Sequence, residues 1–111
     1  MRITKYNIDR FINGTTMDCS NMDITYIEYI PETITHLYCN NNQLTELPKL
    51  PDSLRYFDCN NNKLTSLPKL PDLLISLLCY NNNLPYKITI DNFKEHNTLL
   101  KRKEILKRIC T

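Results

Sequence analysis

Glycine is almost missing from this 111-residue chain, in which Gly14 is the only one. Phosphate-cradling loops of the P-loop or dinucleotide type need several glycines at fixed spacing, so those nucleotide chemistries are excluded. Tryptophan is absent and the only histidines are His36 and His96. Neither is paired by motif with a serine or cysteine nucleophile, and no C-x-x-C or histidine pair accompanies them, so neither a hydrolytic triad nor a zinc site is expected. Asp58 near Tyr38 or Tyr56 imitates an acid site, but such pairs are common on polar sheet faces. No catalytic residue, metal or cofactor is expected. No apolar run approaches bilayer length, and the N-terminus lacks the apolar stretch of a secretory leader, so no membrane partner is expected either. The net charge is only +2, and the length suits a single domain with a narrow core.

What the chain does have is a period. Cys19, Cys39, Cys59 and Cys79 follow one another at a constant spacing, and the last three each open an asparagine-rich run ending in Leu44, Leu64 and Leu84. A repeat of about 20 residues marks a stack of units in which each touches only its neighbours and function comes from the presented surface. Aligned units read Ile34, Leu37, Cys39, Asn42, Leu44, Leu47, then Leu54, Phe57, Cys59, Asn62, Leu64, Leu67, then Leu74, Leu77, Cys79, Asn82, Leu84. A weaker first copy holds Met17, Cys19, Ile24 and Ile27, with Met22 in the asparagine position.

The pattern L-x-x-L-x-L-x-x-N-x-L, with cysteine in the third apolar slot, closely resembles the leucine-rich repeat family. The resemblance covers about residues 14–85 and implies a leucine-rich-repeat solenoid of the α/β horseshoe class, with parallel strands on the concave face. Leu37 and Cys39 alternate with His36, Tyr38 and Asn40, which places one set inside and the other on an open face. After each strand the chain must turn, and Asn42, Asn62 and Asn82 can satisfy buried turn backbone because their amides both donate and accept. Leu47-Pro48-Lys49-Leu50-Pro51 and Leu67-Pro68-Lys69-Leu70-Pro71 exclude helix and predict extended, polyproline-like convex segments with both leucines turned to the core. Cys19, Cys39, Cys59 and Cys79 would stack about 4.8 Å apart, pointing inward in parallel, which suits core packing and not disulfides. Cys110 stands apart as either a reactive thiol or a tail anchor.

Both ends change character, as a stack with bare ends requires. Residues 1–13 are expected to form an N-terminal cap, with an extended edge at Arg2–Tyr6 and a helical turn through Ile8, Phe11 and Ile12, capped by Asn7 and ended by Gly14. The repeats fill residues 14–90. Residues 91–111 are expected to form a capping helix started by a capping box at Asn92–Glu95. In it Phe93, Leu100, Leu106 and Ile109, with Leu99 and Ile105 beside them, make one apolar stripe over the open core. Lys101, Arg102, Lys103, Lys107 and Arg108 then form an outer basic face, the only feature that suggests nucleic acid or another anionic surface.

Ligands of the resembling family usually meet the concave sheet. The outward positions are Thr16, Asp18 and Ser20, then His36, Tyr38, Asn40, Tyr56, Asp58, Asn60, Ser76, Leu78 and Tyr80. Tyrosines among polar neighbours on a rigid surface suit protein recognition. The expected function is therefore a non-catalytic protein-interaction module, with two alternatives: anion or nucleic-acid binding through the basic helix, or self-association as a monomer–oligomer system. The L-P-x-L-P segments are similar to those of repeat proteins from giant DNA viruses of amoebae and of bacterial type III effectors, which implies an adaptor toward host proteins. Free thiols without a leader favour a reducing compartment, the cytoplasm, of a host cell if the chain is viral; leaderless export would look the same.

Overall fold

The computed structural model describes residues 1–110, Cys110 by its backbone alone; the reading of Cys110 as a reactive thiol therefore lies outside the described residues. The strands are short: β1 Arg2–Ile3, β2 Ile12–Asn13, β3 Thr16–Asp18, β4 Tyr26–Ile27, β5 His36–Tyr38, β6 Tyr56–Asp58 and β7 Ser76–Leu78. Among the described residues there is a single α-helix, α1, which spans Phe93–Cys110. Strands β3, β5, β6 and β7 lie parallel in one sheet, in the register Met17, Leu37, Phe57, Leu77. Strand alternation turns those four residues and Cys19, Cys39, Cys59 and Cys79 into the core, where all are buried. This parallel sheet with one C-terminal helix is compatible with a leucine-rich-repeat solenoid.

After each strand the chain bends through a left-handed residue: Asn21, Asn41, Asn61 and Asn81 all have φ between 56° and 58°. Asparagine tolerates that region better than other side chains, so in a chain with one glycine it takes the turn positions glycine would otherwise hold. The exposed amides also form a ladder, Asn81 Nδ2 donating to Asn61 Oδ1 and Asn61 Nδ2 to Asn41 Oδ1, both at 2.7 Å. The next asparagine in each run turns inward. Asn62 Nδ2 reaches the carbonyls of Cys39 (3.0 Å), Cys59 (3.1 Å) and Asn60 (3.4 Å), while its Oδ1 accepts the Leu44 N–H at 3.0 Å. Asn42 and Asn82 do the same one coil before and after, so each amide stitches its own turn to the preceding one. Coil one has no coil before it to stitch, which is why Met22 is tolerated there.

The return segments are irregular and extended, and each ends in the same turn: Ile34, Leu54 and Leu74 donate their N–H to the carbonyls of Pro31, Pro51 and Pro71. Proline at the turn start presets φ and sacrifices no needed donor. Leu50, Leu67 and Leu70 are buried and Leu47 is packed partly against them.

At the N-terminal end β1 pairs parallel with β4 and β2 pairs antiparallel with β3. A 3-10 turn covers Ile8–Phe11, and Ile12 lies in a strand, which corrects the expected helical turn. Asn7 makes no side-chain cap; its Oδ1 accepts the Thr4 N–H and its Nδ2 donates to Arg2 O. The same device recurs at the other end, where Asn92 Oδ1 accepts the Thr89 N–H and Nδ2 donates to Lys87 O. The sequences match: Ile3-Thr4-x-x-Asn7-Ile8 and Ile88-Thr89-x-x-Asn92-Phe93, with both isoleucines, Ile8 and Phe93 buried. Asn92 is thus committed to the turn before α1 and builds no capping box.

The cap itself is shorter than expected. Phe93 and His96 are buried and Leu100 is half-buried, but every residue from Lys101 to Ile109 is exposed, Ile109 at 73%. At about 100° per residue, Leu106 and Ile109 come round 120° or more from Phe93 and Leu100, so these four residues never shared one stripe. Leu99, Ile105, Leu106 and Ile109 instead form a second, solvent-facing band. Two polar residues complete the docking. His96 is buried with Nε2 3.1 Å from Leu67 O and Nδ1 2.7 Å from the Tyr86 hydroxyl, and Asn97 bonds both the N–H and the carbonyl of Leu70. Ending the chain after Arg102 is expected to move the urea midpoint by no more than about 0.5 kcal/mol equivalent, whereas Phe93→Ala costs about 3 kcal/mol. Equal losses from both changes would show that the outer helix is packed in solution.

Candidate functional site

Twenty-residue register lines up the outward side chains in three rows across the sheet. Thr16, His36, Tyr56 and Ser76 form the first, and Asp18, Tyr38, Asp58 and Leu78 the second. Ser20, Asn40, Asn60 and Tyr80 follow at the turn edge. The rings of His36 and Tyr56 stack with centroids 4.4 Å apart and planes 17° from parallel, and Tyr38 leans toward His36 at 6.4 Å. Parallel neighbours at the strand spacing leave little other geometry open to two planar rings.

The histidine is held from behind. His36 Nδ1 lies 2.8 Å from Thr35 Oγ1, which is 2.8 Å from Thr15 Oγ1. This chain of hydroxyls fixes the ring plane and leaves its stacked face as a rigid shelf. The carboxylates are committed locally: Asp58 accepts the Asn60 N–H, and Asp18 accepts both the N–H and the hydroxyl of Ser20. Among the described residues neither carboxylate has a histidine hydrogen-bond partner, and the Ser20 hydroxyl bonded to Asp18 has no histidine partner to activate it. Asn60 is a correction to the expected surface: it is 8% exposed and its Oδ1 accepts the Tyr80 N–H at 2.7 Å, so it holds the next coil and is not open to a ligand. Tyr80, at 61% exposed, extends the surface instead.

The basic residues of α1 belong to a helix that docks on the third return segment, through His96 and Asn97. The helix holds six basic and two acidic residues, a surplus of four positive charges in a chain of net +2, so the remaining residues carry −2. Arg108 bonds Glu104 at 2.7 Å across one turn, with both side chains exposed. Lys103 and Lys107 fall on the same side as Phe93 and Leu100, and the cations therefore surround the helix and do not form one face.

Among the described residues no group of histidine, cysteine and carboxylate could hold a metal ion, and no helix is long and apolar enough to cross a membrane. The features missed by sequence reasoning are His96 and Asn97, which bond across 27 to 29 residues to the third return segment, and the left-handed asparagines. Only the latter left a signal, the recurrence of a second asparagine in every run.

Residues 32–72 match the family model described as Leucine Rich repeats, in two copies. That match covers the second and third coils and supports reading the chain as a leucine-rich repeat protein. Such repeats generally serve as non-enzymatic modules for protein–protein interaction. No curated protein matches the chain.

Proposed function

We propose that this chain is a non-catalytic recognition module that binds a protein partner through the open sheet face, centred on His36, Tyr38 and Tyr56. The observation that carries this is the stacked His36–Tyr56 pair held on a hydrogen-bonded shelf. A ring already immobilised loses little entropy when a partner covers it, so aromatic area converts efficiently into affinity. As part of the same proposal the chain acts as an adaptor toward host proteins in a reducing cytoplasm. Tyr38→Glu with Tyr56→Glu is expected to remove partners captured from host lysate after nuclease treatment, with the far-ultraviolet circular dichroism unchanged. Retention of all partners would sink this reading.

One observation favours a second reading. The outer half of α1 is exposed on all sides, carries the positive surplus and presents Leu99, Ile105, Leu106 and Ile109, as an anion-seeking helix would. Its signature is binding that weakens steeply with salt and disappears when Lys101, Arg102 and Lys103 become glutamine.

A further inference from the structure

After its strand, each of the first three coils hands the same pair of main-chain donors to the coil after it. Cys19 and Asn21 donate to the carbonyls of Tyr38 and Asn40 at 2.8 and 3.1 Å, and Cys39 and Asn41 to Asp58 and Asn60, both at 2.9 Å. Cys59 and Asn61 donate to Leu78 and Tyr80 at 2.8 and 3.0 Å. The acceptors are always carbonyls two residues apart on one extended strand. In the last coil the equivalent donors are the N–H groups of Cys79 and Asn81, and neither has a hydrogen-bond partner among the described residues. The side-chain core is closed here, because Cys79 Sγ lies 3.0 Å from Ile88 O and Leu74 and Leu77 are buried. The backbone edge is not closed. It opens into a groove lined by Tyr80, Leu84, Tyr86 and Ile88, with Lys87 as its one charged residue.

Open strand edges are normally blunted by charge, proline or a covering element. The opposite edge follows that rule, since β2 covers β3. Around β7 the blunting is slight: no charged residue occurs from Leu73 to Tyr86, Lys87 alone lining the groove, and Leu73, Ile75 and Tyr80 are 66%, 58% and 61% exposed.

We propose that the β7 edge is a second recognition site, which takes one extended, uncharged strand of a partner protein in parallel, its carbonyls two residues apart bonding the N–H groups of Cys79 and Asn81. The three preceding coils show the chemistry of the missing piece, because each of them fills the same pair of donors with the same kind of strand. The lining is neutral and partly apolar apart from Lys87, which suits a strand of neutral, partly apolar side chains, for which Ile75 and Tyr80 supply flanking contacts. The proposal is independent of the open-face reading: Tyr38→Glu with Tyr56→Glu leaves the edge unaltered, so the two fail separately.

The test uses the full chain labelled with ¹⁵N and a synthetic peptide of residues 75–83 carrying Cys79→Ser, which in the protein supplies the carbonyls that Cys59 and Asn61 bond. The amide signals of Cys79 and Asn81 are expected to move on titration and their hydrogen exchange to slow at least tenfold. Ile75→Lys with Tyr80→Lys, both on exposed side chains, is expected to weaken the peptide at least tenfold while the fold persists. Unmoved Cys79 and Asn81 amides, or equal binding by the lysine variant, would overturn the proposal. Sedimentation without peptide covers the rival occupant: a dimer abolished by the same lysine pair would assign the edge to a second copy and overturn the partner strand.

Discussion

Raised above neutral pH, the protein is expected to lose its fold cooperatively between about pH 9.5 and 11, through its column of buried thiols. Burial is the main cause that lifts them: Cys19 moves from 9.0 to about 12 and Cys79 to about 11, while Cys39 and Cys59 lie well above 9.0. Neighbouring charge adds to this, from Asp18 at Cys19, from the adjacent cysteines and Asp58 at Cys39, and from Cys79 and Asp58 at Cys59. A thiol is neutral when protonated, so the folded state keeps a proton that the unfolded chain releases near pH 9. Stability is therefore whole below about pH 9 and falls as pH rises, until the folded pKa is reached. Each thiol removes about 1.4 kcal/mol per pH unit in that window. Cys19, Cys39 and Cys59 are fully buried and together remove about 4 kcal/mol per unit, against a typical domain stability of about 5–15 kcal/mol. Urea midpoints measured from pH 7 to 10.5 check this. Cys39→Ala with Cys59→Ala should be less stable at neutral pH yet lose stability only about half as steeply, because two of the four raised thiols, Cys19 and Cys79, remain. An unaltered slope would assign alkaline loss to other groups.

Asn62→Ala is expected to cost about 4 kcal/mol, because the removed amide satisfies buried groups on two coils at once. Its Nδ2 serves the carbonyls of Cys39, Cys59 and Asn60 and its Oδ1 the Leu44 N–H, all inside a site where Asn62 is 7% exposed. Alanine leaves those backbone groups without partners and without room for bulk water, at about 1–3 kcal/mol for each one left unsatisfied. Asn82→Ala, at the more open last coil, should cost about half as much. Asn62→Asp separates the roles: the acceptor toward Leu44 remains, but three carbonyls then face a carboxylate, so it should be at least as damaging as alanine. Urea unfolding followed by circular dichroism gives all three numbers, and a loss below about 1 kcal/mol for Asn62→Ala would show that the turn backbone finds other partners.

The repeat was legible because it depends on short-range rules. A strand of three residues can only alternate, which placed Leu37, Phe57 and Leu77 inward. Two prolines per return segment left no alternative to extended backbone. An inward asparagine at a fixed distance from an inward cysteine can bond only turn backbone, its own and that of the coil before. These constraints act within one coil or between adjacent coils, and copying them at constant spacing fixes the register of the stack. The composition also decided something, since a chain with one glycine must bend through another residue, and asparagine is the one that tolerates positive φ.

The ends were decided by tertiary structure. Phe93, Leu100, Leu106 and Ile109 read as one stripe only if the helical phase is ignored, and docking selects the phase that places His96 and Asn97 against Leu67 and Leu70. Those polar contacts span 27 to 29 residues, and no local pattern announces them. Asn7 and Asn92 looked like helix caps, yet each bonds backward to a threonine N–H, because pairing of the preceding strand or turn leaves that donor in need first. Asn60 looked like a surface residue, and only the arrival of the next coil's Tyr80 N–H draws it inside. By itself the sequence determined the period, the inward rows and the irregular return segments, because local sterics and backbone hydrogen bonding enforce them. Which surfaces stay open, the aromatic shelf, the outer helix and the unpaired edge at β7, was decided by where the stack stops and what packs against its last coil.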